Sequence, residues 1–363
     1  MKNKNIALGL MSGTSCDGLT IAAARLHPFS VLAFENYVYP HALQKRLLHA
    51  RELTAPQLAA LHMELGELYA QKAKQFLKKY KIPAAKIDCI GMHGQTVYHG
   101  PKDPVPSTLQ IAEPSFLAEA VGCPVVSHFR QRDMALGGQG APLMPFFDEY
   151  IFGKAGPKIL LNLGGIANLS LVGKNIKTLG FDCGPANTLM DEACQHYLHL
   201  PFDKNGARAA KGTPDKQLVS RLLRQAFFAQ KPPKSLDRNA FGAAYLKKHF
   251  AAFGPSHVND LLATLNYFTA AAAALAVRKF IPAAQQKEII VSGGGAFNQT
   301  LLSNLRARTG LPVVTSDKYH IHPQAKEAAA FALFASLAVQ GKTNHCPAAT
   351  GARKQTVLGM ITL

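Results

Sequence analysis

The chain of 363 residues has no uncharged apolar run that approaches the ~18 residues of a membrane span. The richest candidate, Phe268–Val277, is mostly alanine and ends against Arg278 and Lys279. Ile6–Met11 is too short for the apolar core of a signal peptide, and no small-residue cleavage site follows it. These features lead us to expect a cytosolic, cytoplasmic protein with no membrane partner. No C-x-x-C pair occurs among the six cysteines, Cys16, Cys89, Cys123, Cys183, Cys194 and Cys346, which argues against a zinc ribbon or a redox pair. In a reducing compartment they are expected as free, small, buried thiols. Acids are scarce, 22 Asp and Glu against 40 Lys and Arg, for a formal charge of +18. The bases are dispersed, and the densest runs, Lys72–Lys81 and Lys247–His249, read as solvated helix faces and ends. Without an Arg-rich tail or aromatic-basic alternation, specific nucleic-acid binding is not expected. A general positive field favours small anionic ligands instead.

What is present is globular: 48% of residues are hydrophobic and 17% charged. A chain of this length is expected to split into two domains, because one core stops growing near ~250–300 residues. Ile6–Met11, Thr20–Leu26 and Val31–Val38 read as strands, the first two joined by the turn chemistry of Ser12–Gly18. Residues 56–81 carry Leu58, Leu61, Leu65, Leu68, Phe76 and Leu77 on one helical face. Ile87–Met92 reads as a buried strand ending in His93-Gly94-Gln95-Thr96. The glycine-rich stretch 129–145 is the expected crossover to a second lobe.

Beyond it the plan restarts. Ile159–Leu163 and Ala167–Val172 flank Gly164-Gly165, Leu179–Asp182 enters Gly184-Pro185, and Thr188–His199 reads as a helix. Residues 258–281 read as a helix, Glu288–Val291 as a strand leading into Gly293-Gly294-Gly295, and 298–309 and 325–340 as further helices. Strands alternating with helices predict an α/β fold with mixed sheets. The expected division is an N-terminal lobe over 1–130, with 341–363 packing back on it, and a C-terminal lobe over 131–340.

Three glycine-rich turns follow apolar strands: Ser12–Gly18, Asp182–Gly184 and Gly293–Gly295. Glycine lets backbone N–H groups approach and point at phosphate oxygens, and the hydroxyls of Ser12, Thr14 and Ser15 add donors. These loops hold neither the G-x-x-x-x-G-K-[ST] pattern nor G-x-G-x-x-G. Asp17 and Asp182 stand in two of the turns. One reading makes one a Mg²⁺ ligand, through water, and the other a general base; the other reading has each capping its own turn. His93, Gln95 and Thr96 form a polar group at a strand end, where α/β proteins bind ligands. Arg130 and Arg132 offer either a fork for a substrate carboxylate or a surface ion pair with Asp133. Glu327 opens a helix, as first-turn acids commonly do.

The blocks GLMSGTSCDG (9–18), MHGQTVYH (92–99), TLQIAEPSFLAE (108–119), FRQRDMALGGQGAPLMP (129–145), NLGGIANLS (162–170), GFDCGPANTLMDEAC (180–194), PPKSLDR (232–238) and VSGGGAFNQTL (291–301) resemble, in order and spacing, the anhydro-N-acetylmuramic acid kinases. The likeness runs from residue 6 to about residue 340. It implies the sugar kinase–Hsp70–actin fold: two ribonuclease H-like α/β lobes closing over ATP and Mg²⁺. It also implies a reaction in which 1,6-anhydro-N-acetylmuramic acid, ATP and water give N-acetylmuramic acid 6-phosphate and ADP, serving recycling of bacterial cell wall.

By the same likeness Asp182 is the general base for the water that attacks the anomeric carbon. Gly13, Thr14, Ser15, Cys16, Asp17, Gly18, Leu19 and Thr20 would contact ATP phosphates, and Gly164, Gly165, Gly184, Gly293, Gly294 and Gly295 would line the nucleotide cleft. His93, Gln95, Thr96, Arg130 and Glu327 would hold the sugar, with Arg130 near its lactyl carboxylate. The family tends to form homodimers. Thr20 stands where the family usually has a second acid, Cys183 and Ala186 where Thr and Gly are common. Two other functions fit the same sequence: a kinase for another anhydrosugar such as levoglucosan, and a non-catalytic, actin-like ATP-binding protein.

Overall fold

The computed structural model describes residues 5–13, 16–236 and 238–363. They form two units. The first takes in the chain up to Phe147 together with His320–Leu363, and the second is Asp148–Tyr319.

In the first unit the apolar runs become β1 (Ile6–Ser12), β2 (Gly18–Leu26), β3 (Phe29–Val38), β4 (Ile87–Gly100), β5 (Ser107–Ile111) and β6 (Val125–Ser127). β3, β2 and β1 form an antiparallel meander. β4 and then β6 add parallel beyond β1, and the C-terminal strand Met360–Thr362 closes that edge antiparallel to β6. Helix Ala55–Lys79 begins with Thr54, whose N–H donates to the Gln57 side chain at 2.9 Å in a capping box. Its buried face, including Leu61, Leu65, Tyr69 and Phe76, joins Leu8, Leu10 and Ile21 in one core.

Helix Lys326–Val339 packs on β1 and β4, and glycine explains how. Gly9 and Gly91 are register partners across those two strands. A Cβ on Gly9 would stand 1.7 Å from the Ala328 carbonyl oxygen, and one on Gly91 would stand 2.0 Å from that of Phe331. The helix backbone therefore rests on the sheet where no side chain intervenes, and its alanines permit the approach. This contact assigns residues 320–340 to the first unit, correcting the expected boundary at 340. Residues 131–147 join it as well, correcting the boundary at 130. An apolar helix pattern shows that a helix is buried, but not which sheet it covers.

The second unit repeats the plan. β7 (Lys158–Leu163), β8 (Ile166–Val172) and β9 (Leu179–Pro185) form a meander, with β10 (Ile289–Ser292) and then β11 (Val313–Thr315) adding parallel beyond β7. The order β9-β8-β7-β10-β11 matches β3-β2-β1-β4-β6 in both sequence and sense. Helix Val258–Phe280 lies in the core of this unit. The stretch Pro255–Phe280 is long and apolar enough to cross a membrane, but 83% of its apolar window is buried inside the protein, so its hydropathy is that of a core helix. All six cysteines are buried thiols outside any disulfide.

One expectation shifts along the chain. β4 does not end at Met92 but continues to Gly100, because its second half pairs antiparallel with β5. His93, Gln95 and Thr96 thus lie within a strand, held by a partner that local pattern does not reveal.

Candidate functional site

In the first unit the loop between β1 and β2 is fixed from beneath. Ser12 is buried, and its hydroxyl donates to Gln95 Oε1 at 2.6 Å and lies 2.9 Å from the Tyr39 hydroxyl, which reaches Tyr69 at 2.8 Å. Gln95 Nε2 donates to the Gly13 carbonyl at 3.0 Å. Both ends of the Gln95 amide are committed to the loop, and the side chain is 0% exposed. Gln95, expected among the sugar-holding residues, thus also holds the β1–β2 loop. Burial raises the hydroxyl pKa of Tyr39, and that of Tyr69 to about 12, so both stay neutral donors. Ser12, Tyr39 and Tyr69 were not singled out as a set by the sequence, since residues so far apart meet only in the fold.

Of the loop residues, Cys16 and Leu19 are buried, Gly13, Gly18 and Thr20 half-buried, and Asp17 exposed. Thr14 and Ser15 lie outside the described residues. The Thr20 hydroxyl donates to Asn36 Oδ1 at 2.7 Å. Among the described residues no group of three or more His, Cys, Asp or Glu side chains could hold a metal ion. Mg²⁺ takes one or two carboxylates and completes its shell with water and phosphate. Asp17 is an exposed carboxylate of this kind.

His93 and Arg130 form the second feature of this unit. Arg130 donates from Nε at 3.1 Å and from Nη2 at 3.0 Å to His93 Nε2, and His93 Nδ1 lies 2.8 Å from the Gly94 carbonyl. Only one tautomer fits: Nδ1 carries the proton and Nε2 accepts. Burial, and then the positive charge of Arg130, push the His93 pKa down to about 3. Thr96 Oγ1 accepts from Gln110 at 3.4 Å. Glu327, half-buried, lies in the first turn of helix Lys326–Val339. Asp133 forms no surface pair with Arg132. It is 0% exposed, accepting from Gly140 N–H at 2.7 Å and from the Thr350 hydroxyl at 2.6 Å, while Arg132 donates to the Val357 carbonyl. This buried carboxylate ties the glycine-rich stretch to the C-terminal segment.

In the second unit the glycines divide into two kinds. A Cβ on Gly293, where φ is +80°, would stand 2.7 Å from the Leu163 carbonyl oxygen, and one on Gly295 would stand 2.6 Å from Leu163 Cβ. One on Gly165 would meet the Thr188 hydroxyl at 2.6 Å, and one on Gly184 would meet Ala272 Cβ at 2.9 Å. These four are required by the fold itself. At Gly164 nothing lies within 3.7 Å of a Cβ, and at Gly294 the nearest atom is the Asn187 side-chain nitrogen at 3.3 Å. Gly164 therefore has room on its Cβ side, while a Cβ at Gly294 would crowd Asn187, which donates to the Leu163 carbonyl at 2.9 Å. An open backbone turn like that at Gly164 fits a phosphate chain.

Asp182 sits in β9 opposite Asn168, and the register shift that follows leaves Cys183 as an extra residue in a bulge. Bulges re-aim side chains and are common beside functional sites. The Asp182 N–H donates to the Lys234 carbonyl at 3.1 Å, and Asp182 Oδ2 accepts the Leu236 N–H at 2.8 Å. The half-buried carboxylate is thus held at Oδ2. Beside it, burial pushes the Cys183 thiol up to about 12, which leaves that thiol neutral and inert.

The same strand order in both units, each with a glycine-bearing turn after its first strand, defines the two-unit α/β class of sugar kinases, Hsp70 and actin. The family model for anhydro-N-acetylmuramic acid kinase matches residues 5–363. Curated relatives of that name include those of Caldanaerobacter subterraneus, 36% identical over 100% of this chain and 98% of its own length, and of Variovorax paradoxus, 41% identical over 98% of each. That of Coxiella burnetii is 37% identical over 98% of this chain and 96% of its own. Among solved structures, component A of the Acidaminococcus fermentans (R)-2-hydroxyglutaryl-CoA dehydratase covers 91% of this chain and 97% of its own at 13% identity and a TM-score of 0.47. The chain belongs to the anhydro-N-acetylmuramic acid kinase family, and it is an enzyme of that kinase class.

Proposed function

We propose that this kinase opens the internal ether of 1,6-anhydro-N-acetylmuramic acid with water and phosphorylates O6, giving N-acetylmuramic acid 6-phosphate in the cytoplasmic recycling of cell-wall sugar. The observation that carries the reading is the Asp182 carboxylate, half-buried beside the Cys183 bulge and held at Oδ2 by Leu236 N–H. A carboxylate held at a fixed place beside the glycine turns is a suitable acceptor for a water proton.

ATP supplies the phosphoryl group for O6, and Mg²⁺ offsets the charge of its phosphates. The glycine turns at Gly164 and Gly294 and the β1–β2 loop would hold the phosphates, with Asp17 facing the metal through water. Arg130, Thr96 and Glu327 would hold the sugar. Arg130 suits the lactyl carboxylate because a planar guanidinium can fork onto a carboxylate, and its partner His93 is a neutral acceptor. Asp182 takes the proton of the water that attacks the anomeric carbon.

The test offers 1,6-anhydro-N-acetylmuramic acid and levoglucosan separately with ATP and Mg²⁺ and follows ADP. Turnover with the muramic sugar is expected. Levoglucosan has no carboxylate for Arg130 and should turn over at least 10²-fold less well. Turnover with levoglucosan alone overturns the substrate assignment.

A further inference from the structure

The second unit contains a buried lysine that the reaction above does not use. Lys234 is 3% exposed. Its ammonium lies 4.3 Å from the ring centre of Phe227, 4.9 Å from that of Phe280 and 5.7 Å from that of Phe181, and it donates to the Phe227 carbonyl at 3.0 Å. A lysine is rarely placed so deep, because its charge loses water; ring faces and a carbonyl replace part of that solvation.

The cage adjoins the reacting carboxylate by three routes. The Lys234 carbonyl accepts the Asp182 N–H, Leu236 two residues on donates to Asp182 Oδ2, and Phe181 precedes Asp182 in β9. The segment 234–236 therefore clasps Asp182 at its backbone and at its carboxylate, and the Lys234 side chain is the post that anchors this clasp. Burial lowers the Lys234 pKa, while Asp182 opposes that shift, so the two groups also interact through their charges.

We propose that Lys234, seated among Phe181, Phe227 and Phe280, is a positioning residue that sets the orientation of Asp182 for proton abstraction. The inference rests on the reading of Asp182 as the general base. Lys234 touches no reacting atom. Its contribution is to hold the 234–236 backbone at the distance from which Leu236 N–H fixes Asp182 Oδ2.

The experiment measures kcat and KM of the full-length enzyme in Lys234→Met, Asp182→Asn and the double variant, with melting curves. Lys234→Met should lower kcat by about 10- to 100-fold, the scale of a misplaced reacting group, with KM for ATP within about twofold of wild type. In the Asp182→Asn background the same substitution should cost less than about twofold, because a residue that acts only through Asp182 has nothing left to position. Wild-type kcat in Lys234→Met, or an equal loss in both backgrounds, overturns the proposal. Full activity in Asp182→Asn instead overturns the base assignment beneath it, which keeps the two failures distinct. If Lys234→Met does not fold, Phe227→Leu decides: it removes the nearest ring from a half-buried position and should lower kcat at unchanged KM for ATP. Wild-type kcat there also overturns the proposal.

Discussion

Arg130 donates through two guanidinium nitrogens, at 3.1 Å and 3.0 Å, to one nitrogen of His93. A histidine at a polar strand end invites assignment as a proton carrier, but this one cannot take a proton without expelling the arginine. Its folded-state pKa of about 3 lies below the ordinary 6.5, so between those values the unfolded chain binds the extra proton. The stability that follows is fully present above pH 6.5 and is lost as pH falls toward 3. Replacing His93 with Gln, which does not titrate, should make urea stability less steep in pH by about 1.4 kcal/mol per unit between pH 6 and 4. Equal slopes in wild type and variant would place the proton elsewhere.

The same pair bears on substrate binding. A lysine at 130 keeps the charge but cannot both engage His93 through two nitrogens and present a planar fork. Arg130→Lys is expected to raise KM for the anhydro sugar by about 10- to 100-fold, the scale of a charge-assisted hydrogen bond, with KM for ATP unchanged. A shift in the ATP constant alone would move Arg130 to the nucleotide side.

The two kinds of glycine in the second unit predict opposite outcomes from one chemical change. Gly295→Ala forces a Cβ to 2.6 Å from Leu163 Cβ and should destabilise the protein by about 1–3 kcal/mol. Gly164→Ala meets nothing within 3.7 Å, so melting should be unchanged while KM for ATP rises several-fold. Thermal melts beside ATP titrations separate the two. A Gly164→Ala enzyme with wild-type KM for ATP would remove that turn from the phosphate site.

The strands and the long helices were legible because burial on one face imposes a period, and because turn residues mark the ends. Thr54 with Gln57, and Asn298 before Leu301, start their helices where their side chains satisfy free N–H groups. Two things were not legible. Helix Lys326–Val339 belongs to the first unit because Gly9 and Gly91 are bare beneath it, a contact between residues more than two hundred positions apart in sequence. The second is that the Gln95 side chain, beside His93 in the strand, turns under the loop to Ser12 and Gly13. Lys234 is a third case: PPKS was visible as a motif, but only folding shows three aromatic rings closing on its lysine.

The central claim is that water enters the sugar in the same turnover that phosphorylates it. Mass analysis of the product from 1,6-anhydro-N-acetylmuramic acid, formed with ATP in ¹⁸O-water and read at early times, tests this directly. The expected product has gained one phosphoryl group and one water, with the heavy oxygen at the anomeric carbon. A product carrying phosphate with the anhydro bridge intact, or ADP formed while the sugar stays unchanged, would contradict it.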